Sequence, residues 1–418
     1  MLLGVIFAVI IIQFKGGMQF TKDWIKPFGN IFINLLKLIA VPLILASLIK
    51  GVSDLKDITK LSRMGLRTIV FYLITTVFAV SLGLAVVNIV HPGKSISVET
   101  RNQMLNTYGV AVSEKQEEAH KQVEGGPLKF IEDIVPENII GAASSNKMML
   151  QVIFFALFIG IAMITLPENK VKPFKDFFDS FNEIILRLID LIMKAAPYGV
   201  FALMAALIAE SPSIDIFKAL GKYAFTVLIG LLFLIFIFYP TLIYLFTRRN
   251  PFRFIKQISP AQLLAFSTSS SAATLPVTME VVEENVGVDR EVTSFVLPIG
   301  ATVNMDGTSL YQAVAAIFIA EAFGMDLDLG AQLAIILTAT LASIGSAAVP
   351  SAGMVMLVIV LAQAGIPEAG LALIFAIDRP LDMVRTVANV TSDCTISTII
   401  AKSLNKLKDP KPLPLRTL

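Results

Sequence analysis

The sequence has few of the residues that build covalent or metal-based sites. It contains one cysteine, Cys394, which excludes an internal disulfide framework and a metal site built from cysteines. The apolar neighbours of Cys394 predict a buried, unreactive thiol. A serine nucleophile needs an activating base, and the two histidines, His91 and His120, lie at or within segment 93–127, far along the chain from the serines at 269–271. An intramembrane hydrolase is therefore a weak alternative.

Charged residues are also scarce. They make up 16% of the chain against 55% hydrophobic residues, and the mean hydropathy is +0.76. Soluble domains do not have this composition. The net charge is +2, and the basic residues follow hydrophobic runs in separate clusters, so no nucleic-acid partner is expected. The composition predicts an all-α polytopic protein in a lipid bilayer.

Apolar runs mark the membrane spans. The opening "MLLGVIFAVIIIQF" has no charged n-region and no cleavage site, so we interpret it as a first, shortened span and not as a signal peptide. Further runs long enough to cross a bilayer of about 30 Å follow along the chain. They centre on residues 28–50, 66–91, 134–166, 180–209 and 217–246.

The connecting segments predict the orientation. Lys and Arg exceed Asp and Glu between residues 50 and 67, which marks that loop as cytoplasmic. Counting spans onward places segments 170–175 and 247–256 on the same side. The long segment 93–127, which contains acidic residues, falls outside the cell.

The pattern does not predict simple membrane spans for two later apolar segments, 257–283 and 331–365. They are interrupted by "STSSSAATLP" and "SIGSAAVPSAG", whose prolines and small residues would break a lipid-exposed helix. If each piece enters and returns on its own side, the N- and C-termini are both cytoplasmic. The charges therefore favour eight transmembrane helices plus two re-entrant helical hairpins.

The two broken pieces belong to an apparent inverted repeat. Each precedes a span with a polar motif, "NMDGT" at 304–308 and "NVTSD" at 389–393. Transporters place their sites where inverted repeats meet, at broken helices near the midplane of the membrane. Close helix packing is the alternative role of the small residues, but it does not account for the ionisable residues beside them.

A polar stripe crosses the last span. At 100° per residue, its polar side chains lie within about 60° of Asp382 on one helix face. They are Asp378, Arg379, Asp382, Arg385, Thr386, Asn389 and Asp393. A charge at the bilayer centre costs at least about 2.5 to 3.5 kcal/mol, so the stripe should face a polar cavity or a partner. A purely structural pair of Asp382 with Arg385 is the alternative.

Four motifs, found in this order, resemble the dicarboxylate/amino acid:cation symporter family. That family includes the excitatory amino acid transporters and their prokaryotic glutamate/aspartate transporter homologues. The motifs are "SSSAATLPVT" at 269–278, "NMDGTSLYQAV" at 304–314, "ASIGSAAVPSAG" at 342–353 and "DMVRTVANVTSD" at 382–393. The resemblance covers nearly the whole chain. It implies a homotrimer in the plasma or inner membrane, with a static scaffold and a moving transport domain in each subunit.

The resemblance also implies a division of the chain. The scaffold holds spans 1 and 2 (1–65) and spans 4 and 5 (128–211), which follow the extracellular loop (93–127). The transport domain holds the remaining spans and the hairpins. These are span 3 (66–92), span 6 (212–251), hairpin 1 (252–286), span 7 (287–325), hairpin 2 (326–368) and span 8 (369–407), before the cytoplasmic tail (408–418).

The resemblance assigns substrate roles. Arg385 would bind the side-chain carboxylate of an acidic amino acid with its planar fork of donors. Asp382 would accept the substrate ammonium group. Neutral hydrogen bonds would come from Thr308, Thr386 and Asn389, and the hairpin tips around Ser270, Ser271 and Val349 would receive the α-carboxylate.

Three sodium sites are implied in the same way, since carboxylate, amide and carbonyl oxygens suit a hard cation. The first would use Asn304, Asn389, Asp393 and the Gly300 carbonyl. The second would use Tyr72, Thr75, Thr76, Asn304 and Asp306. The third would use Thr302 with carbonyls near Ser343, Ile344 and Ser346, and would close only with hairpin 2.

The expected function is thus sodium-coupled uptake of aspartate or glutamate by alternating access. A proton-coupled or C4-dicarboxylate symporter is the alternative, and an anion channel is a further one. Several positions in both hairpin tips and in the last motif depart from the family pattern, and Arg379 has no family role. Ala348 stands in place of a glycine in the second hairpin tip, which could stiffen the gate, and Ser392 replaces a glycine in the last motif. Arg379 would neutralise Asp378, steady the empty site, or form a structural salt bridge.

Overall fold

The computed structural model describes residues 2–54, 62–97, 135–144, 148–210, 214–344 and 352–408. Within these residues the regular elements are helical, apart from an isolated antiparallel bridge between Val288 and Leu407. The α-helices are α1 (Leu2–Ile11), α2 (Gly17–Phe20), α3 (Lys26–Asp54), α4 (Ser62–Val90), α5 (Ile139–Ala143), α6 (Met149–Thr165), α7 (Glu168–Glu210), α8 (Ile214–Phe233), α9 (Tyr239–Thr247), α10 (Pro251–Thr268), α11 (Ser271–Val281), α12 (Arg290–Val303), α13 (Asp306–Ala322), α14 (Leu329–Ile344), α15 (Ala352–Gln363) and α16 (Leu371–Ser403).

Most helices follow the apolar runs, with two differences. Helix α7 begins at Glu168, well before the run at 180–209, because its first turns are amphipathic and do not register as a span. The run at 217–246 is divided by a π-helical turn at Leu234–Phe238. That turn precedes Pro240, which has no N–H to continue the α-helical hydrogen-bond ladder.

Several helices have a surface suited to lipid. Among the described residues, Met64–Ser95 and Asp215–Thr247 are long and apolar enough to cross a membrane by length and composition, and shorter apolar helices accompany them. Large apolar side chains are exposed, including Ile89 (80%) and Leu38 (69%). At ten residues, α1 is shorter than the roughly 20 residues of a span. The total of eight spans and two re-entrant hairpins stays a prediction.

The chain reverses at the first predicted hairpin tip. Helix α10 ends at Thr268, Ser269 adopts a left-handed conformation (φ 53°), and Ser270 caps the start of α11. The side-chain oxygen of Ser270 accepts a hydrogen bond from the Ala273 N–H at 3.2 Å. Helices α10 and α11 pack against each other, as do α14 and α15. The second tip, with Ser346, Ala348 and Val349, lies outside the described residues.

Two buried helices form the centre of the protein. Every residue of α13 from 306 to 322 is buried, and α16 is buried on nearly all sides from residue 388 to 401. Helix α13 packs against α4 and α16, and α16 also contacts α8, α10 and α12. The helices α1, α3, α6 and α7 pack among themselves. Burial of α13 and α16 encloses the charges that the sequence places on them.

Hydrogen bonds near the two ends of α4 connect it to distant parts of the chain. Near its start, Arg67 Nη1 donates to the Ser403 carbonyl at 3.1 Å, beside the end of α16. Beyond its other end, the Gly93 N–H donates to Glu321 Oε2 at 2.9 Å. The first pair joins two segments that the charge pattern predicts to be cytoplasmic, 50–67 and the C-terminal end of the chain. Which side is cytoplasmic stays a prediction, and residues 98–127 and 409–418 lie outside the described part.

Candidate functional site

Arg385 lies at the centre of a buried charge cluster on α16. Its side chain is 1% exposed, Nη1 donates to Asp378 Oδ1 at 2.8 Å, and Nη2 donates to Asp382 Oδ1 at 2.7 Å. The guanidinium carbon lies 3.8 Å from the ring centroid of Tyr311, a cation–π geometry. Positions three and seven residues before Arg385 lie on its helix face. The stripe therefore folds into a compensated ion cluster.

Arg379 lies at the outer edge of this cluster. Its Nη1 is 3.7 Å from Asp382 Oδ2, and its side chain is 57% exposed. The expectation that Arg379 would neutralise Asp378 is wrong, since Arg385 holds that carboxylate. One residue along a helix turns a side chain by about 100°, which separates Arg379 from Asp378.

Asn389 joins α16 to the break between α12 and α13. Its Oδ1 accepts from the Gly307 N–H at 2.8 Å, and its Nδ2 donates to Thr308 Oγ1 at 3.4 Å. Gly307 permits this approach, because a Cβ there would lie 2.5 Å from the Arg385 carbonyl oxygen. The predicted substrate residues Thr308, Arg385 and Asn389 are thus brought together. Thr386 is buried beside them and donates to the Asp382 carbonyl at 2.9 Å.

The two hairpins approach this cluster differently. Gly353, at the start of α15, lies against it: a Cβ on Gly353 would be 2.9 Å from Thr308 Cγ2 and 3.7 Å from Arg385 Cζ. Ser270 and Ser271 begin α11, whose hairpin packs on α16 through a hydrogen bond from Gln262 Nε2 to Thr391 Oγ1 at 2.9 Å. The contact predicted at Val349 lies outside the described residues.

A second cluster holds two buried carboxylates, Asp306 and Asp393. Asp393 Oδ1 accepts from Asn304 Nδ2 at 2.8 Å. Asp306 accepts from Thr76 Oγ1 at 2.7 Å, from the Tyr239 hydroxyl at 2.8 Å and from Ser392 Oγ at 2.7 Å. Ser392 Oγ also accepts from Asn304 Nδ2 at 2.9 Å. Ser392 and Asn304 therefore link the two carboxylates.

The surroundings of Asp306 and Asp393 offer several oxygen ligands suited to a cation. Within the described part of the chain, neither Asp306 nor Asp393 forms a salt bridge, and buried charges require compensation. The Asn304 Oδ1 atom is buried with no hydrogen-bond partner there. Carboxylate, amide and hydroxyl oxygens are ligands for a hard cation.

Gly300 leaves room beside this pair. A Cβ on Gly300 would lie 2.5 Å from Asp393 Oδ1 and closer still to the Tyr72 hydroxyl. The Tyr72 hydroxyl donates to the Val296 carbonyl at 3.0 Å, and Thr75 Oγ1 donates to the Tyr72 carbonyl at 3.1 Å. The Gly300 carbonyl accepts from the Asn304 N–H at 2.9 Å. Residues of the first two predicted sodium sites are thus adjacent.

The third predicted sodium site is not assembled among the described residues. Thr302 is exposed, and its hydroxyl donates to the Ile299 carbonyl at 3.1 Å on its own helix. Ser343 Oγ likewise donates to the Thr340 carbonyl at 2.8 Å. Ser346 lies outside the described residues, as does the side chain of Ile344. This site stays a prediction.

Sequence reasoning gave no role to three side chains that contact these clusters. Tyr311 lies under Arg385, Tyr239 donates to Asp306, and Ser392 links Asp306 to Asn304. The sequence does contain a signal for the two tyrosines. Each lies in an apolar helix, where a buried phenol hydroxyl needs a hydrogen-bond partner. Ser392 was noted only as a departure from a family glycine.

Comparisons with known proteins identify the family of this chain. The model of the sodium:dicarboxylate symporter family matches residues 1–403. Excitatory amino acid transporter 1 of Ambystoma tigrinum is 38% identical over 406 residues, which cover 87% of this chain and 74% of the relative. Excitatory amino acid transporter 3 of Oryctolagus cuniculus is 35% identical, covering 97% and 84%. Excitatory amino acid transporter 2 of Homo sapiens is 35% identical, covering 93% and 76%.

The family match confirms the resemblance inferred from the motifs. Symporters carry solutes across membranes and are not enzymes, so the hydrolase alternative at residues 269–271 is excluded. Because the family model extends over residues 1–403 of 418, the chain belongs to the sodium:dicarboxylate symporter family.

Proposed function

We propose that this protein couples the uptake of acidic amino acids, aspartate or glutamate, to sodium entry by alternating access. The observation that carries this proposal is the buried Arg385 fork beside Thr308 and Asn389, at a break in the neighbouring helix. An arginine is suited to a carboxylate because its donors match the two oxygens. The relatives named as excitatory amino acid transporters support the choice of substrate.

The substrate contacts follow from this cluster. Arg385 binds the side-chain carboxylate; its Nε, buried without a partner among the described residues, is a donor still available. Asp382 receives the ammonium group, and Thr308, Thr386 and Asn389 offer neutral hydrogen bonds. The α-carboxylate is received by the hairpin backbone at Ser270, Ser271 and Val349.

Sodium is the co-transported ion of this proposal. Asn304, Asn389, Asp393 and the Gly300 carbonyl hold one ion, and Tyr72, Thr75, Thr76, Asn304 and Asp306 hold another. Thr302 with carbonyls of Ser343, Ile344 and Ser346 completes a third site. The two buried carboxylates, Asp306 and Asp393, have no basic partner among the described residues, which supports cation binding. A membrane potential adds about 2.3 kcal/mol per charge per 100 mV to uptake.

The setting proposed for this chemistry is a homotrimer in the plasma or inner membrane. Each subunit has eight spans, two re-entrant hairpins and cytoplasmic termini. Spans 1, 2, 4 and 5 form the scaffold, and the other spans move with the hairpins. Exposed apolar side chains around the helices support burial in lipid.

Reconstituted uptake tests the proposal. Purified protein in liposomes should accumulate labelled aspartate under an inward sodium gradient and not under a potassium or proton gradient. Arg385→Ala should abolish this uptake while the protein still inserts, because the substrate loses a charge-assisted pair. Arg253→Ala, at an exposed arginine on α10, is the matched control. Wild-type aspartate uptake by Arg385→Ala would contradict the assignment, and uptake of succinate in preference to aspartate would favour a C4-dicarboxylate symporter.

A further inference from the structure

Asp382 lies between two guanidinium groups that differ in burial. Its Oδ1 accepts from Arg385 Nη2 at 2.7 Å, and that arginine is 1% exposed. Its Oδ2 lies 3.7 Å from Nη1 of Arg379, which is 57% exposed. The two oxygens of one carboxylate therefore have unlike partners.

The two ion pairs also differ in how readily they separate. The contact with Arg379 is longer than a direct hydrogen bond, and its cationic partner is 57% exposed although Asp382 is 9% exposed. The contact with Arg385 is buried, and breaking it would leave an uncompensated charge. A ligand group that binds Asp382 at Oδ2 would displace Arg379 and leave Arg385 in place.

The charges of the cluster sum to zero. Asp378 and Asp382 balance Arg379 and Arg385. An ammonium group that replaces Arg379 at Asp382 keeps this balance. A dicarboxylate without an amine has no positive charge to replace Arg379 at Asp382, so the charge balance is kept only if Arg379 stays paired with Asp382.

The position of Arg379 permits such a displacement. The side chain lies beside Pro380 on a helix that is otherwise largely apolar at this end. A guanidinium on a membrane helix turns away from lipid, to water or to protein. Among the described residues its ion pair is the 3.7 Å contact with Asp382, and an exposed arginine held in this way can change rotamer at little cost.

We propose that Arg379 is a specificity-determining residue of the substrate site. It neutralises Asp382 Oδ2 in the substrate-free protein and gives way to the ammonium group of an α-amino acid. When a dicarboxylate binds, Arg379 remains paired with Asp382. Arg379 therefore lets dicarboxylates bind better than they would without it, and so reduces the preference for amino acids. This inference rests on the proposed function, in which Asp382 binds the substrate ammonium.

Paired binding measurements with Arg379→Gln test the inference. The dissociation constants of L-aspartate and succinate are measured on the purified full-length protein at saturating sodium. Without Arg379, the remaining cluster of Asp378, Asp382 and Arg385 has a net charge of −1. This charge disfavours a dicarboxylate that brings no ammonium group, because like charges brought together in a site are strongly unfavourable. We expect the succinate-to-aspartate ratio of dissociation constants to rise about tenfold or more. Aspartate affinity should be unchanged or slightly higher.

Two further variants distinguish this role from a non-specific electrostatic effect of removing one positive charge. Arg379→Lys keeps the charge and should keep the ratio near that of the wild type. Arg253→Gln removes the same charge from an exposed site on α10 and should leave the ratio unchanged. Because the Arg379 side chain is 57% exposed, we expect each variant to fold, and melting temperatures check this.

The outcomes distinguish the inference from the proposed function. An unchanged ratio in Arg379→Gln, or equal weakening of both ligands, would overturn the role of Arg379 even if aspartate binding depends on sodium. A ratio that rises equally in Arg253→Gln would overturn it too. Absence of sodium-dependent aspartate binding by the wild-type protein would refute the proposed function itself, and the inference with it.

Discussion

Asp393→Asn separates a cation ligand from a structural carboxylate. The substitution keeps the size and shape of the side chain, and the amide oxygen can still accept from Asn304 Nδ2, now 2.8 Å from Asp393 Oδ1. It removes one of two buried negative charges, while Asp306 retains its three hydroxyl donors. If sodium binds here, the variant should bind it more weakly.

The magnitude follows from the burial of Asp393, which is 3% exposed. Removing one partner of a buried charge pair costs about 3 to 5 kcal/mol. The amide oxygen remains a weaker ligand and Asp306 remains nearby, so the lower end of that range applies. About 3 kcal/mol corresponds to a roughly hundredfold loss of sodium affinity.

The assay is a titration of aspartate binding at several sodium concentrations on the purified variant. Sodium and substrate must tighten each other by the same factor. The sodium concentration that gives half-maximal substrate affinity should therefore rise by up to about a hundredfold, and the dependence should become shallower. An unchanged sodium dependence with intact aspartate affinity would remove Asp393 from the sodium site. A lower melting temperature with the same sodium dependence would indicate a purely structural carboxylate.

Three further predictions follow from the structure and the charge pattern. Gly300→Ala should abolish sodium-dependent aspartate binding, because the new Cβ would lie 2.5 Å from Asp393 Oδ1; normal binding by this variant would contradict the proposed position of the ion. Ser392→Ala should lower the free energy of unfolding by about 1.5 to 3 kcal/mol, the contribution of a hydrogen bond to a charged group, and thermal or denaturant unfolding in detergent measures it. A membrane-impermeant label applied from outside should reach segment 93–127 and not residues 50–67; the reverse labelling would overturn the predicted orientation.

The helical period predicted the polar face of α16 but not the pairs within it. Projection placed Asp378, Arg379, Asp382 and Arg385 on one stripe, and the structure holds them in one cluster. A projection gives the direction of each Cβ and not the reach of a long side chain. The pairing of Arg385 with Asp378 is accompanied by a contact with Tyr311, 3.8 Å from the guanidinium carbon and on another helix, which a projection of α16 alone does not include.

Contacts between distant segments lay beyond sequence periodicity. Thr76 and Asp306 meet across 230 positions, and the family resemblance, not the pattern of residues, anticipated that they belong together. Tyr239 has the surroundings of an apolar span, and although its hydroxyl needs a partner, the sequence does not indicate that this partner is Asp306, 67 positions away. The break between α12 and α13 was easier to foresee, since "NMDGT" places polar residues within a span.

That break gives a physical basis for coupling between the two proposed ligands. Asn304, just after α12, donates to Asp393, while Thr308, near the start of α13, accepts from Asn389 beside Arg385. The side chains that meet the cation cluster and the substrate cluster are thus four residues apart, on either side of the two-residue break between α12 and α13. Any ion that fixes Asn304 also restricts the backbone that positions Thr308. The entropy lost in ordering this segment is then shared by both ligands, so each should bind more tightly in the presence of the other.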